Sequence, residues 1–181
     1  MGNRWERTAR LNFSVFNVAN PEAALRYLAK QTAKYISDPQ VILRARAIVQ
    51  RCPNRDDMCE LRALYNTVKS ELRYVADPVY TDVYASPGRL LKNCAEGACS
   101  GDCDEAASLI AALAGAIGFR VGLRAYGPPA SESYSHVYAV AGYPKKNPTK
   151  WLGLDTTVKQ AFPGWEPPMR GAKVKTAEII P

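Results

Sequence analysis

The sequence predicts an α+β fold, and three observations carry that expectation. Residues 21 to 72 hold three successive apolar stripes at helical spacing. Residues 103 to 117 form a fourth run, apolar at helical spacing, that reads as a short buried helix. After it come three short segments, 119–126, 135–141 and 151–157, each rich in β-branched or aromatic residues and bounded by Gly, Pro or Ser. At 181 residues the chain is long enough to bury one real core and reads as one domain.

Residues 1–20 read as an N-terminal arm. Within it Leu11 to Val18 alternates, which suits an edge strand or a segment that adds to a partner's sheet. The domain proper is expected over 21–165. Pro21 opens a first helix that runs to about Ser37, with Leu25, Leu28, Thr32, Tyr35 and Ile36 facing inward. Asp38-Pro39 starts a second, from Gln40 to Gln50, because proline suits the first helical position. Cys52-Pro53-Asn54 breaks it. Asn54 is expected to cap a third helix whose Asp56 and Asp57 favour the dipole. Its stripe is Leu61, Leu64, Tyr65, Val68 and Leu72. Residues 76–100 read as loop, with Arg89-Leu90-Leu91 a short turn and Tyr74, Tyr80 and Tyr84 as loop anchors or a cleft wall. The stretch from Ala161 onward is rich in Gly, Pro and Lys, so 166–181 is expected to be a flexible or partner-bound tail.

The chemistry concentrates at Gly101-Asp102-Cys103-Asp104-Glu105. Asp102 is a good N-cap, and Glu105 follows at capping-box spacing. Ala106, Leu109, Ile110, Leu113, Ala114 and Ile117 then fall on helical spacing, and Gly118 is a natural stop. Cys103 therefore sits in the first turn. The free N–H groups and partial positive charge of a helix N-terminus favour a thiolate there. His136 and Asp155 lie on two segments joined by a hairpin-length connection, and cross-strand neighbours come within about 5 Å. That arrangement can set a carboxylate against an imidazole and the imidazole beside the thiol: nucleophile, base and orienter. The chain has one histidine, so any cysteine–histidine chemistry must use His136.

Composition narrows the rest. The net charge of +7 is spread over the chain without a dense basic block interleaved with aromatics, which disfavours a nucleic-acid binder. No run of 18 apolar residues exists, so no membrane span is expected. Met1 to Arg7 does not read as a secretory signal, so none is expected, and Glu6 does not fit a myristoylation motif. A cytoplasmic or virion-associated protein with reduced thiols is the expectation for Cys52, Cys59, Cys94, Cys99 and Cys103. A Cys52–Cys59 or Cys94–Cys99 disulfide stays open for an extracellular setting. None of the spacings is a C-x2-C knuckle, so no zinc is expected. No acidic calcium loop or phosphate loop is visible either, and neither metal nor cofactor is expected.

Three motifs, Gly101-Asp102-Cys103-Asp104-Glu105, Ser135-His136-Val137-Tyr138 and Leu154-Asp155-Thr156-Thr157, together resemble the transglutaminase-like cysteine-enzyme superfamily. Glu71 to Pro78 and Ser86-Pro87 are similar to that family's approach to its cysteine. The resemblance covers roughly residues 60 to 160 and has the flavour of short bacterial and phage-encoded members. It implies a papain-like core: N-terminal helices, a central helix carrying the nucleophile, and a small antiparallel sheet carrying histidine and aspartate. It implies a Cys103–His136–Asp155 triad and thioester chemistry on an amide or peptide bond of a protein or peptide substrate. The other reading is a phage-particle structural or assembly protein that docks through its arm and tail and retains the triad, in use or idle.

Overall fold

A computed structural model describes residues 13–16, 21–76 and 82–181. Its elements in order are β1 (Phe13–Phe16), α1 (Pro21–Ile36), α2 (Pro39–Val49), α3 (Asp57–Glu71), β2 (Arg73–Tyr74), β3 (Asp82–Ala85), α4 (Pro87–Ala95), β4 (Ser100–Gly101), α5 (Cys103–Ala116), β5 (Val121–Gly127), β6 (His136–Tyr143), β7 (Lys150–Leu154) and β8 (Lys173–Ile179). The α+β expectation holds, with five helices and a four-stranded antiparallel sheet in the order β7-β6-β5-β8 among the described residues.

Helix α5 is the centre. Every residue from Glu105 to Leu113 and Ala114 is buried. A helix apolar on all sides has no solvent face to keep, so it packs between two layers. The α1–α4 helices cover one side, and β5 and β6 cover the other. Leu61, Leu64, Val68, Leu90, Ile110, Leu113, Val121, Leu123 and Leu154 fill the shared core, each at most 1% exposed. Beyond α5 the chain reverses at Gly118, whose φ of 94° lies in the left-handed region that glycine enters without cost.

Local signals placed most boundaries. Asp38 caps α2, accepting N–H bonds from Gln40 and Val41, and Pro39 follows it. The cap of α3 is Asp56, not Asn54: the Asp56 carboxylate accepts the Cys59 N–H at 2.9 Å, and its first-turn geometry outcompetes an asparagine two residues earlier. The expected strands shift by one to three residues, which is ordinary fraying of element ends.

Three expectations are corrected. The stretch 76–100 is not all loop. It contains β3 and the nine-residue helix α4, started by Ser86 with Pro87 and fastened through fully buried Leu90. Ser-Pro-Gly reads locally as punctuation, but here it is a helix start. The segment β1 pairs antiparallel with β3, within the chain. The remaining arm residues, and Tyr80, lie outside the described residues.

The tail is likewise part of the fold. Strand β8 pairs with β5 along seven residues, Leu123 opposite Ala177, and buries Ile179. Ahead of it, both carboxylate oxygens of Glu166 accept from Arg124 Nη1, at 2.6 and 2.8 Å, and Oε2 accepts from the Tyr138 hydroxyl at 3.1 Å. Those contacts bind 161–172 onto the sheet, so the expected boundary at 165 does not mark where packing ends. Finally, the cysteines are not all reduced: Cys52–Cys59 and Cys94–Cys99 are disulfides. The first staples the end of α2 to the first turn of α3, with Cα atoms 5.7 Å apart. That proximity comes from a turn between helices, which spacing alone does not reveal.

Candidate active site

Cys103 is the first residue of α5, and its helix tip is set by a complete capping box. Asp102 accepts the Asp104 N–H at 3.0 Å, and Glu105 Oε2 accepts the Asp102 N–H at 2.9 Å. Glu105 Oε1 accepts the Ala85 N–H from β3 at 2.7 Å. The short β2–β4 pair and the bonds Arg73 N–H to Cys99 O and Val75 N–H to Gly101 O hold the strand that delivers the cysteine. Gly101 must lack a Cβ, because one built there would meet Glu105 Cβ at 2.7 Å.

His136 begins β6 opposite Tyr126 of β5. Asp155 follows the last residue of β7 rather than lying on it. Ala139 pairs with Leu154, so the same register carried one step further puts Tyr138 opposite Asp155. His136 reaches the carboxylate diagonally: Nε2 and Oδ2 are 2.7 Å apart. Its ring stacks on Tyr138 at 5.9 Å between centroids. The other carboxylate oxygen, Oδ1, accepts from the Thr157 N–H, the Thr157 hydroxyl and the Val158 N–H. Asp155 is 1% exposed, yet its carboxyl sits below the usual range. Burial alone would raise it; the His136 bond and charge, with the Thr157 donors, outweigh that.

Cys103 and His136 line one cavity of about 180 Å³, together with Asp102, Asp104, Tyr134 and an apolar wall that includes Leu25 and Leu28 of α1. Since Nε2 is engaged by Asp155, Nδ1 is the imidazole nitrogen left for the cavity. Cys103 is the free cysteine.

The helix tip does not lower the thiol as the sequence suggests. Burial pushes it well up, and Asp102 and Asp104 add to that, while N–H bonds from Val137 and from Cys103 itself oppose. Asp104 is pushed up to about 10, first by burial, then by a shared hydrogen bond with Asp102 and by the charges of Asp102 and Glu105. Burial thus favours the neutral form of both side chains. Oxygens of Asp102 and Asp104 and the Cys103 sulfur lie within 4.8 Å of one another. Of the tyrosines read as a cleft wall, Tyr84 is 3% exposed and belongs to the core, and Tyr74 is 54% exposed.

The family model of the transglutaminase-like superfamily matches residues 44–156. The chain belongs to that superfamily. Among solved structures, it is similar to a candidate protease from Parabacteroides distasonis ATCC 8503, with a TM-score of 0.55 and 15% identity. That match covers 84% of this chain and 30% of the other, so the chain spans under a third of that protein's length. At this identity the likeness is one of fold. Comparison with the curated proteins gave no match. Among the described residues, no helix is long and apolar enough to cross a membrane.

Two residues of the site's surroundings were not singled out for function from sequence. Lys69 and Tyr65, one turn apart on α3, bind the segment after Asp155. Tyr65 reads from sequence as part of the buried stripe, and an i, i+4 pair on a helix is too common to signal a site.

Proposed function

We propose that this member of the transglutaminase-like superfamily is a cysteine-dependent peptidase or amidase working through Cys103, His136 and Asp155. The observation that supports this most is the 2.7 Å His136–Asp155 bond at the edge of the cavity that Cys103 lines. Because burial keeps the thiol neutral, the proton leaves sulfur for His136 Nδ1 as the S–C bond to the substrate carbonyl forms. Asp155 holds the imidazole tautomer and stabilises the imidazolium. The Cys103 N–H at the helix tip is a candidate donor to the carbonyl oxygen. The imidazolium then protonates the leaving nitrogen as the C–N bond breaks, leaving a thioester. Water, losing a proton to His136, hydrolyses it and restores the thiol. The two disulfides favour an oxidising compartment over the reducing cytoplasm as the place of action.

The test is acylation by p-nitrophenyl acetate, followed by release of p-nitrophenolate and by mass. The expected result is an acetyl group on Cys103, formed at a rate that falls about 100-fold or more in His136→Ala. Acetylation confined to lysines, or a Cys103 rate equal in parent and His136→Ala, would overturn the proposal.

A further inference from the structure

The segment that follows Asp155 is wrapped around the half-buried ammonium of Lys69. Lys69 Nζ donates to the carbonyl oxygens of Val158 at 2.9 Å, Lys159 at 3.1 Å and Ala161 at 2.8 Å, and to the Tyr65 hydroxyl at 2.8 Å. The Tyr65 hydroxyl in turn lies 2.8 Å from the Asp155 carbonyl and 2.6 Å from that of Ala161, and its single proton can serve one of them at a time. Lys69 thus has more acceptors than N–H groups, and Tyr65 is 2% exposed. Three backbone carbonyls converging on one cation is not a surface ion pair. It is a cage, and a lysine held this way does little for solubility.

The cage has a consequence for the carboxylate. The same 155–161 stretch that it closes supplies all three donors to Asp155 Oδ1: the Thr157 N–H, the Thr157 hydroxyl and the Val158 N–H. Those bonds occupy one oxygen and so leave Oδ2 for His136. The Val158 residue is shared, its carbonyl on Lys69 and its N–H on Asp155. Burial lowers the Lys69 ammonium while the Asp155 carboxylate holds it up, so the two charges also support each other across the segment.

We propose that Lys69, with Tyr65, is a positioning residue for Asp155: it shapes the 155–161 segment so that one carboxylate oxygen is held by the segment and the other faces His136. The role rests on the reading of His136 and Asp155 as the base pair of the proposed enzyme. It also gives the charged residue beside the buried stripe of α3 a task that an apolar side chain, unable to gather three carbonyls, could not perform. Lys69 acts through the segment and touches neither the thiol nor the cavity.

The lone histidine makes the test direct. A nitrogen-15 NMR experiment on the full chain reads the His136 Nε2–H proton, which a short bond to a carboxylate moves far downfield; its loss in Asp155→Asn identifies it. Lys69→Met keeps the side-chain length without charge or donors. The expected result is an upfield move or exchange broadening of that signal, and a p-nitrophenyl acetate rate about 10-fold lower, partly regained in Lys69→Arg. Val41→Ala, in the core of α2 and away from the segment, lowers stability and leaves the signal in place. Tyr65→Phe, which removes a hydroxyl, should move the signal in the same direction and decides the matter if Lys69→Met does not fold. An imidazole signal as steady in these variants as in Val41→Ala would overturn the positioning role. Absence of the signal from the parent would overturn both readings. A signal that moves in a protein that never acylates would leave the positioning role standing and remove the proposed activity.

Discussion

Glu105→Ala should cost far more than an ordinary helix-surface change. The carboxylate is 3% exposed and serves two backbone donors from different elements, Ala85 N–H in β3 at 2.7 Å and Asp102 N–H at the tip of α5 at 2.9 Å. Orphaning a buried donor costs about 1–3 kcal/mol, so two give about 2–6 kcal/mol. Asp102 is only partly buried and water can replace its lost partner in part, which puts the expected total near 3 kcal/mol. For a chain of this size that is a fall in Tm of about 6–12 °C. The assay is urea unfolding followed by circular dichroism, with the slope m unchanged so that the midpoint shift reads stability. Glu105→Gln keeps one acceptor oxygen but turns its own N–H2 toward the other donor, so it should still lose about 1 kcal/mol or more. A loss below about 1 kcal/mol for alanine, or a neutral glutamine, would refute the carboxylate as the clamp between β3 and the helix that begins at Cys103.

Other predictions concern charge and cross-links. Asp104 holds its proton in the folded state up to about pH 10 but loses it near 4 when unfolded, so its contribution is fully present at low pH and declines as pH rises through that window. Asp104→Asn should therefore be stabilising by about 1 kcal/mol or more at pH 8, with the gain shrinking toward pH 3; urea midpoints at the two pH values check it, and a gain that grows toward acid would contradict the sign. Above pH 10 the same variant should be alkylated at Cys103 faster than the parent, because the parent then carries an added negative charge beside its thiol. Cys94→Ser/Cys99→Ser opens a short loop, with a sequence separation of 5, and should cost about 2 kcal/mol. Since that loop runs directly into β4, the p-nitrophenyl acetate rate should fall with it; denaturation midpoints unaffected by the double change would show the cross-link to be without consequence.

What the sequence determined by itself was local. The capping box of Asp102 and Glu105, the stripes of α1 to α3, the apolar periodicity of α5 and the stop at Gly118 are each set by residues within a few positions of one another. Three ordered motifs were enough to point to the superfamily, which the family model over residues 44–156 shows. Long-range balances were settled only in the folded chain. Strand β8 looks like a tail because its lysines are outward-facing edge residues, and only its pairing with β5 makes it sheet. The thiol was expected to drop at a helix tip, but burial and the neighbouring aspartates push it up. The two disulfides follow from turns that bring residues five and seven apart into contact. Lys69 meets its carbonyl partners about 90 positions away. The physical reason is common to all four: desolvation, edge pairing and convergence of carbonyls depend on what packs around a residue, and that is not written in its neighbours along the chain.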